Sequence, residues 1–395
     1  MIAASEPVQR RPDAKLLLIR SGGSIEHWPR SALVSLLRPG DLVVANDAVT
    51  LPASLFGTHL PTGRSIEVRL AGRDSLEPAQ VSRFFAVLFG TGDFRIRTED
   101  RPLPPPVAPG DRLELGPLHA TIEGVEGTAP RLVVLRFEGS THEIWAGLAR
   151  HGKPIQYAHV SRPLALWDTW APIGGYPAAF EPPSAGFALS WDTLGSMTEK
   201  GVQFATLTHS AGLSSTGDVE LDARLPLDEP YRIPVSTANA ISRAKGCGAR
   251  IVAIGTTVVR ALEHAAARRR CNEGQGGREP EMAAKAATPR RRCNEGQGGR
   301  ELEMAAKLAT PSGLVASGLG IATQRIGPAT RLRVIDAVLS GTHEKGTSHY
   351  ELLRAFTSAR TLARMEQQLE SHGYRTHEFG DSIFVEKATV SHRSA

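Results

Sequence analysis

The sequence predicts an α/β protein, a three-layer α/β/α (Rossmann-like) domain interrupted by a small inserted antiparallel β-barrel. Three observations predict it. Short apolar runs, of the kind that form strands covered on both faces, occur near the start of the chain and again at 251–254. Between them, 62–157 turns to short alternating segments separated by Gly, Pro and Asp. Helical periodicity and buried-strand runs then return. The α/β domain is therefore expected at 1–61 and 158–395, with the barrel at 62–157.

Residues 16–20 and 42–45 read as core strands, with a short helix over 32–37 between them. Inside the barrel segment, strands are expected at 66–70, 94–97, 112–115, 120–125 and 132–137. A helix follows at 235–245, and 352–372 reads as one long amphipathic helix. The segment 250–263, Arg-Ile-Val-Ala-Ile-Gly-Thr-Thr-Val-Val-Arg-Ala-Leu-Glu, says most: a strand, a Gly-Thr-Thr turn and a helix. Backbone N–H groups at such a helix start can hold a carboxylate or phosphate, and a glycine lets a ligand approach the backbone. Thr256 or Thr257 is placed to cap the helix, while Arg260 and Glu263 stand one turn apart, so that Arg260 either pairs with Glu263 at the surface or binds a carboxylate or phosphate.

At 395 residues, 41% hydrophobic and 22% charged, the chain has the makings of a globular protein with two cores. No run of 18 apolar residues occurs, and 1–15 is too polar for a signal peptide, so a cytoplasmic protein without membrane contact is expected. The formal charge of +5 suggests a polyanionic partner, but a tandem repeat supplies most of it. Residues 268–289 recur at 290–311 with changes only at Pro280/Leu302 and Ala286/Leu308, and the two copies carry +4 of the charge. Two copies are too few for a solenoid. Their Gly, Arg and Glu content reads as a duplicated surface loop over 266–311. Cys271 and Cys293 belong to the repeat, leaving Cys247, and the spacing suggests free thiols.

The string Gly255-Thr-Thr-Val-Val-Arg260-Ala-Leu-Glu263 closely resembles a signature of the S-adenosylmethionine:tRNA ribosyltransferase-isomerases of queuosine biosynthesis, Gly-Thr-Thr-Ser-Val-Arg-x-Leu-Glu. Leu37-Arg-Pro-Gly-Asp-Leu-Val-Val-Ala-Asn46-Asp47, then Leu51-Pro52-Ala53 and Leu55-Phe56-Gly57, resemble that family's N-terminal block. Ser65-Ile-Glu67-Val, Arg333-Val-Ile-Asp336-Ala and the closing 373–381, with Phe379-Gly380-Asp381, extend the likeness in order along most of the chain. The family has the same two-part architecture.

The resemblance implies transfer of the ribosyl part of S-adenosylmethionine to the aminomethyl group of a 7-deazaguanine in the tRNA wobble position. The sugar rearranges to an epoxycyclopentane, and adenine and methionine leave. It implies S-adenosylmethionine as co-substrate, tRNA as partner, no permanently bound cofactor and no metal; a monomer is expected. Such chemistry needs a base beside the sulfonium, help for departing adenine and a seat for the methionine carboxylate. Asp47, His343 and Glu344 are the candidate catalytic residues. Asn46, Glu67, Pro183, Ser184, Gly186, Gly255, Thr256, Thr257, Arg260 and Asp381 are the candidate substrate-binding residues. Turn capping for Asp47 and a solvated strand edge for Glu67 are the alternatives from local pattern. The sequence departs from the family at Ala48, Val49, Ala188 and Leu227, and it adds the His-Glu pairs His343-Glu344 and His377-Glu378. A diverged enzyme acting on another acceptor, or a non-catalytic RNA-binding relative, therefore stays open. His343, Glu344 and His349 lack zincin spacing.

Overall fold

The computed structural model describes residues 2–7, 11, 13–127, 130–274 and 313–389. From residue 275 to 311 the tandem repeat lies outside them, and its first residues continue the Thr256–Gly274 helix rather than opening a loop. The alanines at 265–267 explain the continuation, being the strongest helix formers.

Nine strands form the principal sheet, in the order Gly318–Ala322, Glu229–Ile233, Gln203–His209, Leu42–Asn46, Ile251–Ile254, Ala337–Gly341, Ser382–Glu386, Lys15–Ile19 and Ile25–Pro29. The third to sixth run parallel, with Leu42–Asn46 between Gln203–His209 and Ile251–Ile254. Both faces are covered, because alternate residues of each apolar run point to opposite layers. Leu17, Leu42, Val44, Ile251 and Ala253 pack with the helices Val235–Gly246, Thr256–Gly274, Ser348–Leu353 and Ala359–Ser371. Leu16, Val43, Ala45, Val252 and Ile254 pack with Leu33, Leu36 and Met197 of the opposite layer. This is the expected three-layer domain.

Six strands close the barrel, in the order Leu118–Val125, Leu132–Phe137, Arg83–Phe89, Arg64–Gly72, Ser54–His59 and Arg112–Leu115. Three differences from the sequence expectation stand out. The barrel takes in Ser54–His59, inside the segment assigned to the α/β part, and it includes Arg83–Phe89. Residues 94–97 form no strand: the Asp93 carboxylate accepts from Arg95 N at 2.9 Å, which turns the chain into the Thr98–Asp100 3₁₀ helix. Gly57 shows why its position admits no side chain, since a Cβ there would lie 1.9 Å from the Glu114 carbonyl oxygen of the neighbouring strand.

The expected single helix over 352–372 is two, Ser348–Leu353 and Ala359–Ser371. Ser358 starts the second by accepting from Thr361 N, a capping interaction that competes with a continuous helix. Among the described residues no helix is long and apolar enough to cross a membrane.

Glu263 and Asp336 show how the 333–336 segment is locked. Glu263 is buried, and its carboxylate accepts from the N–H groups of Arg333, Val334 and Ile335 at 2.8, 2.9 and 3.0 Å. Asp336 accepts from Ile251 N at 2.8 Å and from Lys245 Nζ at 2.6 Å. The expected Arg260–Glu263 pair is absent because each side chain is committed elsewhere. Glu263→Ala strands three buried donors and should lower unfolding free energy by about 3 kcal/mol, read as a shifted urea midpoint. Glu263→Gln, which keeps one acceptor oxygen, should lose less.

Candidate functional site

The four parallel strands end at His209, Asn46, Ile254 and Gly341, and a crevice opens beyond those carboxyl ends, where α/β sheets place their ligands. A cavity of about 380 Å³ there is walled by Gly255, Thr256 and Thr257, by Pro183 and Ser184, and by His343. Gly255 has φ +97°, a conformation a side chain would strain, and this lets the chain turn from strand to helix. The first-turn N–H groups of Thr256–Gly274 thus face a space large enough for a small ligand. A second cavity, about 860 Å³, shares Ser214, His343 and His349 with the first and extends toward the barrel at Arg97–Glu99 and Tyr157.

The most perturbed acid in this crevice is Glu181, which lines the first cavity. Burial raises its pKa to about 7 against the opposing donors Tyr157 and Ser214. The Tyr157 hydroxyl donates to Glu181 Oε1, and burial beside that acid holds the phenol well above its ordinary value. His343 and His349 stack with ring centres 4.3 Å apart. Burial pushes His349 to about 4 and His343 well below the imidazole range, so both are neutral at pH 7. They can accept or share a proton but carry no standing charge.

Behind the wall lies a buried polar network. Arg260 donates to the Glu229 carboxylate, to Leu227 O and Ala322 O at 2.8 Å and to Gln324 O at 3.0 Å. Glu229 Oε1 also accepts from Gly212 N at 2.7 Å. Burial keeps the Glu229 pKa raised despite Arg260, and burial followed by Arg260 pushes His209 well down. The His209 Nε2 is 3.5 Å from Glu229.

Pro183, Ser184, Gly255, Thr256, Thr257, Arg260 and His343 all line the first cavity. Arg260, however, spends its guanidinium on protein acceptors, which corrects its expected role as a carboxylate ligand. Gly186 lies one turn back in the Ser184–Ala188 3₁₀ helix, where its N–H donates to Pro183 O at 2.9 Å. Glu344 lines the second cavity and is 60% exposed, at the rim.

Besides Gly186, four expected residues lie outside both walls. Asn46 stitches the strand ends together: Nδ2 donates to His209 O at 3.0 Å and to Thr257 Oγ1 at 3.3 Å, and Oδ1 accepts from His209 N at 2.9 Å. Asp47 accepts from the Thr208 hydroxyl at 2.6 Å, and its carbonyl accepts from Gly175 N at 2.9 Å, so it braces two segments. Glu67 is 2% exposed inside the barrel, neither a ligand-facing group nor a solvated edge. Burial alone would raise its pKa, but Arg69 and Arg101 hold it below the usual value, with Ser54 Oγ donating at 2.8 Å. Asp381 accepts from Arg11 at 2.7 Å, Arg375 N at 2.8 Å and Lys15 N at 3.0 Å, clamping the turn at 375–381.

The sequence did not single out Glu181 or Tyr157 for this crevice. For Glu181 a signal existed, since the acid immediately precedes the Pro182-Pro183-Ser184 motif. Tyr157 had none: its partner arrives from another segment.

Comparison with known proteins matches residues 1–385 to the family described as "Queuosine biosynthesis protein". A relative from Sorangium cellulosum, named S-adenosylmethionine:tRNA ribosyltransferase-isomerase, is 29% identical over 97% of this chain and 95% of its own. One of the same name from Gloeobacter violaceus is 28% identical over 97% of this chain and 92% of its own. The crystal structure of S-adenosylmethionine tRNA ribosyltransferase from Thermotoga maritima aligns over 97% of this chain and 96% of that one, with 20% identity and a TM-score of 0.45. The signature turn, its crevice and a family match running almost end to end agree, and the chain belongs to the queuosine biosynthesis protein family.

Proposed function

We propose that this protein is an S-adenosylmethionine:tRNA ribosyltransferase-isomerase, acting in the cytoplasm on a tRNA that carries an aminomethyl-deazaguanine. The relatives bear that name. One observation carries the reading to this chain: a helix-terminal anion seat and a proton-exchanging carboxyl share one wall system at the sheet's carboxyl ends. The N–H groups at Gly255–Thr257 seat the methionine carboxylate, and the hydroxyls of Thr257 and Ser184 border it. Glu181 takes the proton from the carbon beside the sulfonium, because its pKa of about 7 leaves a fraction ionised yet basic near neutrality. Tyr157 orients that carboxyl. Neutral His343 and His349 offer ring nitrogens where adenine departs, in place of the histidine that Ala188 lacks. The C5′–S, C1′–adenine and C1′–O4′ bonds break while C1′ bonds to the tRNA amine and to C5′, and O4′ bonds to C5′ as the epoxide; methionine keeps the sulfur electron pair, and of the two protons released, from C5′ and from the amine, one goes to adenine and one to solvent. The wider cavity toward the barrel, with Arg97 and Lys345 on its walls, receives the tRNA.

Labelled S-adenosylmethionine incubated with tRNA bearing the deazaguanine should release adenine and methionine only when that tRNA is present. Release without it would favour the diverged-acceptor reading, and tRNA retention without release the non-catalytic one. In chelator-treated protein, Glu181→Gln should cut kcat by about 10²–10⁴. Because the base must be deprotonated, the wild-type rate should climb with pH through about 7 and then level off. Residual activity of the variant should lack that limb; an unchanged limb would exclude Glu181. Lys345 is exposed, and Lys345→Ala should weaken tRNA binding and flatten the slope of log K against log salt by about 1, measured by filter binding at several salt concentrations.

A further inference from the structure

A cluster at the far end of the second cavity has no part in the chemistry above. His159, His377 and Glu378 place one ligand atom each within 4.8 Å of one another. The His159 and His377 rings stack with centres 4.4 Å apart. His159 Nε2 is 3.2 Å from Glu378 Oε1 and buried, yet it makes no hydrogen bond of acceptable geometry. Glu344, from the facing loop, brings Oε1 to 3.9 Å from His377 Nε2.

The backbone is arranged to hold this convergence. His377 has φ +69°, a conformation uncommon outside glycine and asparagine, and Gly380 N bonds its carbonyl at 2.9 Å. The Asp381 clamp fixes the same turn from behind. His159 comes from the segment that leaves the barrel, so the two halves of the cluster belong to distant parts of the chain.

We propose that His159, His377 and Glu378 bind a divalent first-row transition ion such as Zn²⁺, with Glu344 as a further donor and an open position facing the second cavity. Two imidazoles and one carboxylate are a donor set that such ions favour. A second carboxylate balances the remaining positive charge. Ca²⁺ and Mg²⁺, which take oxygen ligands, fit less well. Mutual approach to within 4.8 Å leaves only small side-chain rotations before all three atoms lie near 2 Å from one centre. The His27–His372 stack differs. His27 has both ring nitrogens satisfied, by Tyr374 Oη at 2.9 Å and Gln368 Oε1 at 3.0 Å, so the His27–His372 stack is structural.

The test uses full-length, tag-free protein stripped with a chelator, then titrated with Zn²⁺ against a chromophoric competitor, and separately with Co²⁺ followed by visible absorption. One Zn²⁺ per chain should bind, and Co²⁺ should give the d–d bands of a low-coordinate nitrogen–oxygen site. His159→Ala, His377→Asn and Glu378→Gln should each weaken binding by at least about 100-fold, as ligand loss exceeds the 10–100-fold cost of losing an outer-sphere partner. Asparagine tolerates the left-handed backbone at 377, and circular dichroism of each apo variant verifies folding. His27→Ala should bind as wild type. Absence of stoichiometric Zn²⁺, or retention of full affinity in folded His159→Ala and His377→Asn, would overturn the proposal. So would loss of binding only in His27→Ala. No outcome depends on tRNA or S-adenosylmethionine, so the proposal can fail or succeed independently of the transferase reading.

Discussion

The buried guanidinium of Arg260 is the constraint on which the crevice depends. A cation taken from water is tolerable only if its N–H groups find acceptors, and here a carboxylate and three carbonyls accept four hydrogen bonds from it. Those acceptors come from the 227–229 segment and from residues 322 and 324, so one side chain of the Thr256–Gly274 helix fixes the sheet's edge region and the cavity wall together. Glu229, held by Arg260, in turn holds Gly212 N beside the cavity. The signature arginine therefore shapes the crevice, while the backbone N–H groups at Gly255–Thr257 border its cavity.

Asn46 performs a complementary task at the sheet's centre. Its amide joins the ends of two parallel strands and the first turn of the helix, so the Gly-Thr-Thr turn has one position relative to the strand ends. Glu263 does the same for the 333–335 segment two turns further along that helix. Many strongly patterned positions of the chain are thus polar side chains turned inward onto backbone groups, which is how a crevice with irregular walls keeps its N–H groups satisfied.

Most of the architecture was legible in the sequence because it rests on local periodicity. The buried runs at 42–45 and 251–254 and the alternation at 132–137 could hardly form anything else. The errors fall where a non-local partner or a cap decides. Ser54–His59 is claimed by the barrel through pairing with Arg64–Gly72, and Ser358 divides what looks like one amphipathic helix. At the crevice, the turn at 255–257 and the 183–184 segment, singled out by their motif, line one cavity. Arg260, Glu67 and Asp381, expected as ligands, bond to protein groups, and a charged residue in a motif looks the same in sequence whether it faces a cavity or a buried partner. Glu181 gained its character from Tyr157 and from burial, neither of which neighbours it in sequence.

The strand order carries a consequence for how the chain is made. Leu42–Asn46 lies at the centre of the sheet, yet both its neighbours, Gln203–His209 and Ile251–Ile254, are translated after the entire barrel. On the ribosome the barrel, whose strands all lie between Ser54 and Phe137, can close first. The apolar strand before it must wait unpaired until the downstream strands emerge. Pairing around Leu42–Asn46 therefore cannot be completed until the residues after the barrel have been made.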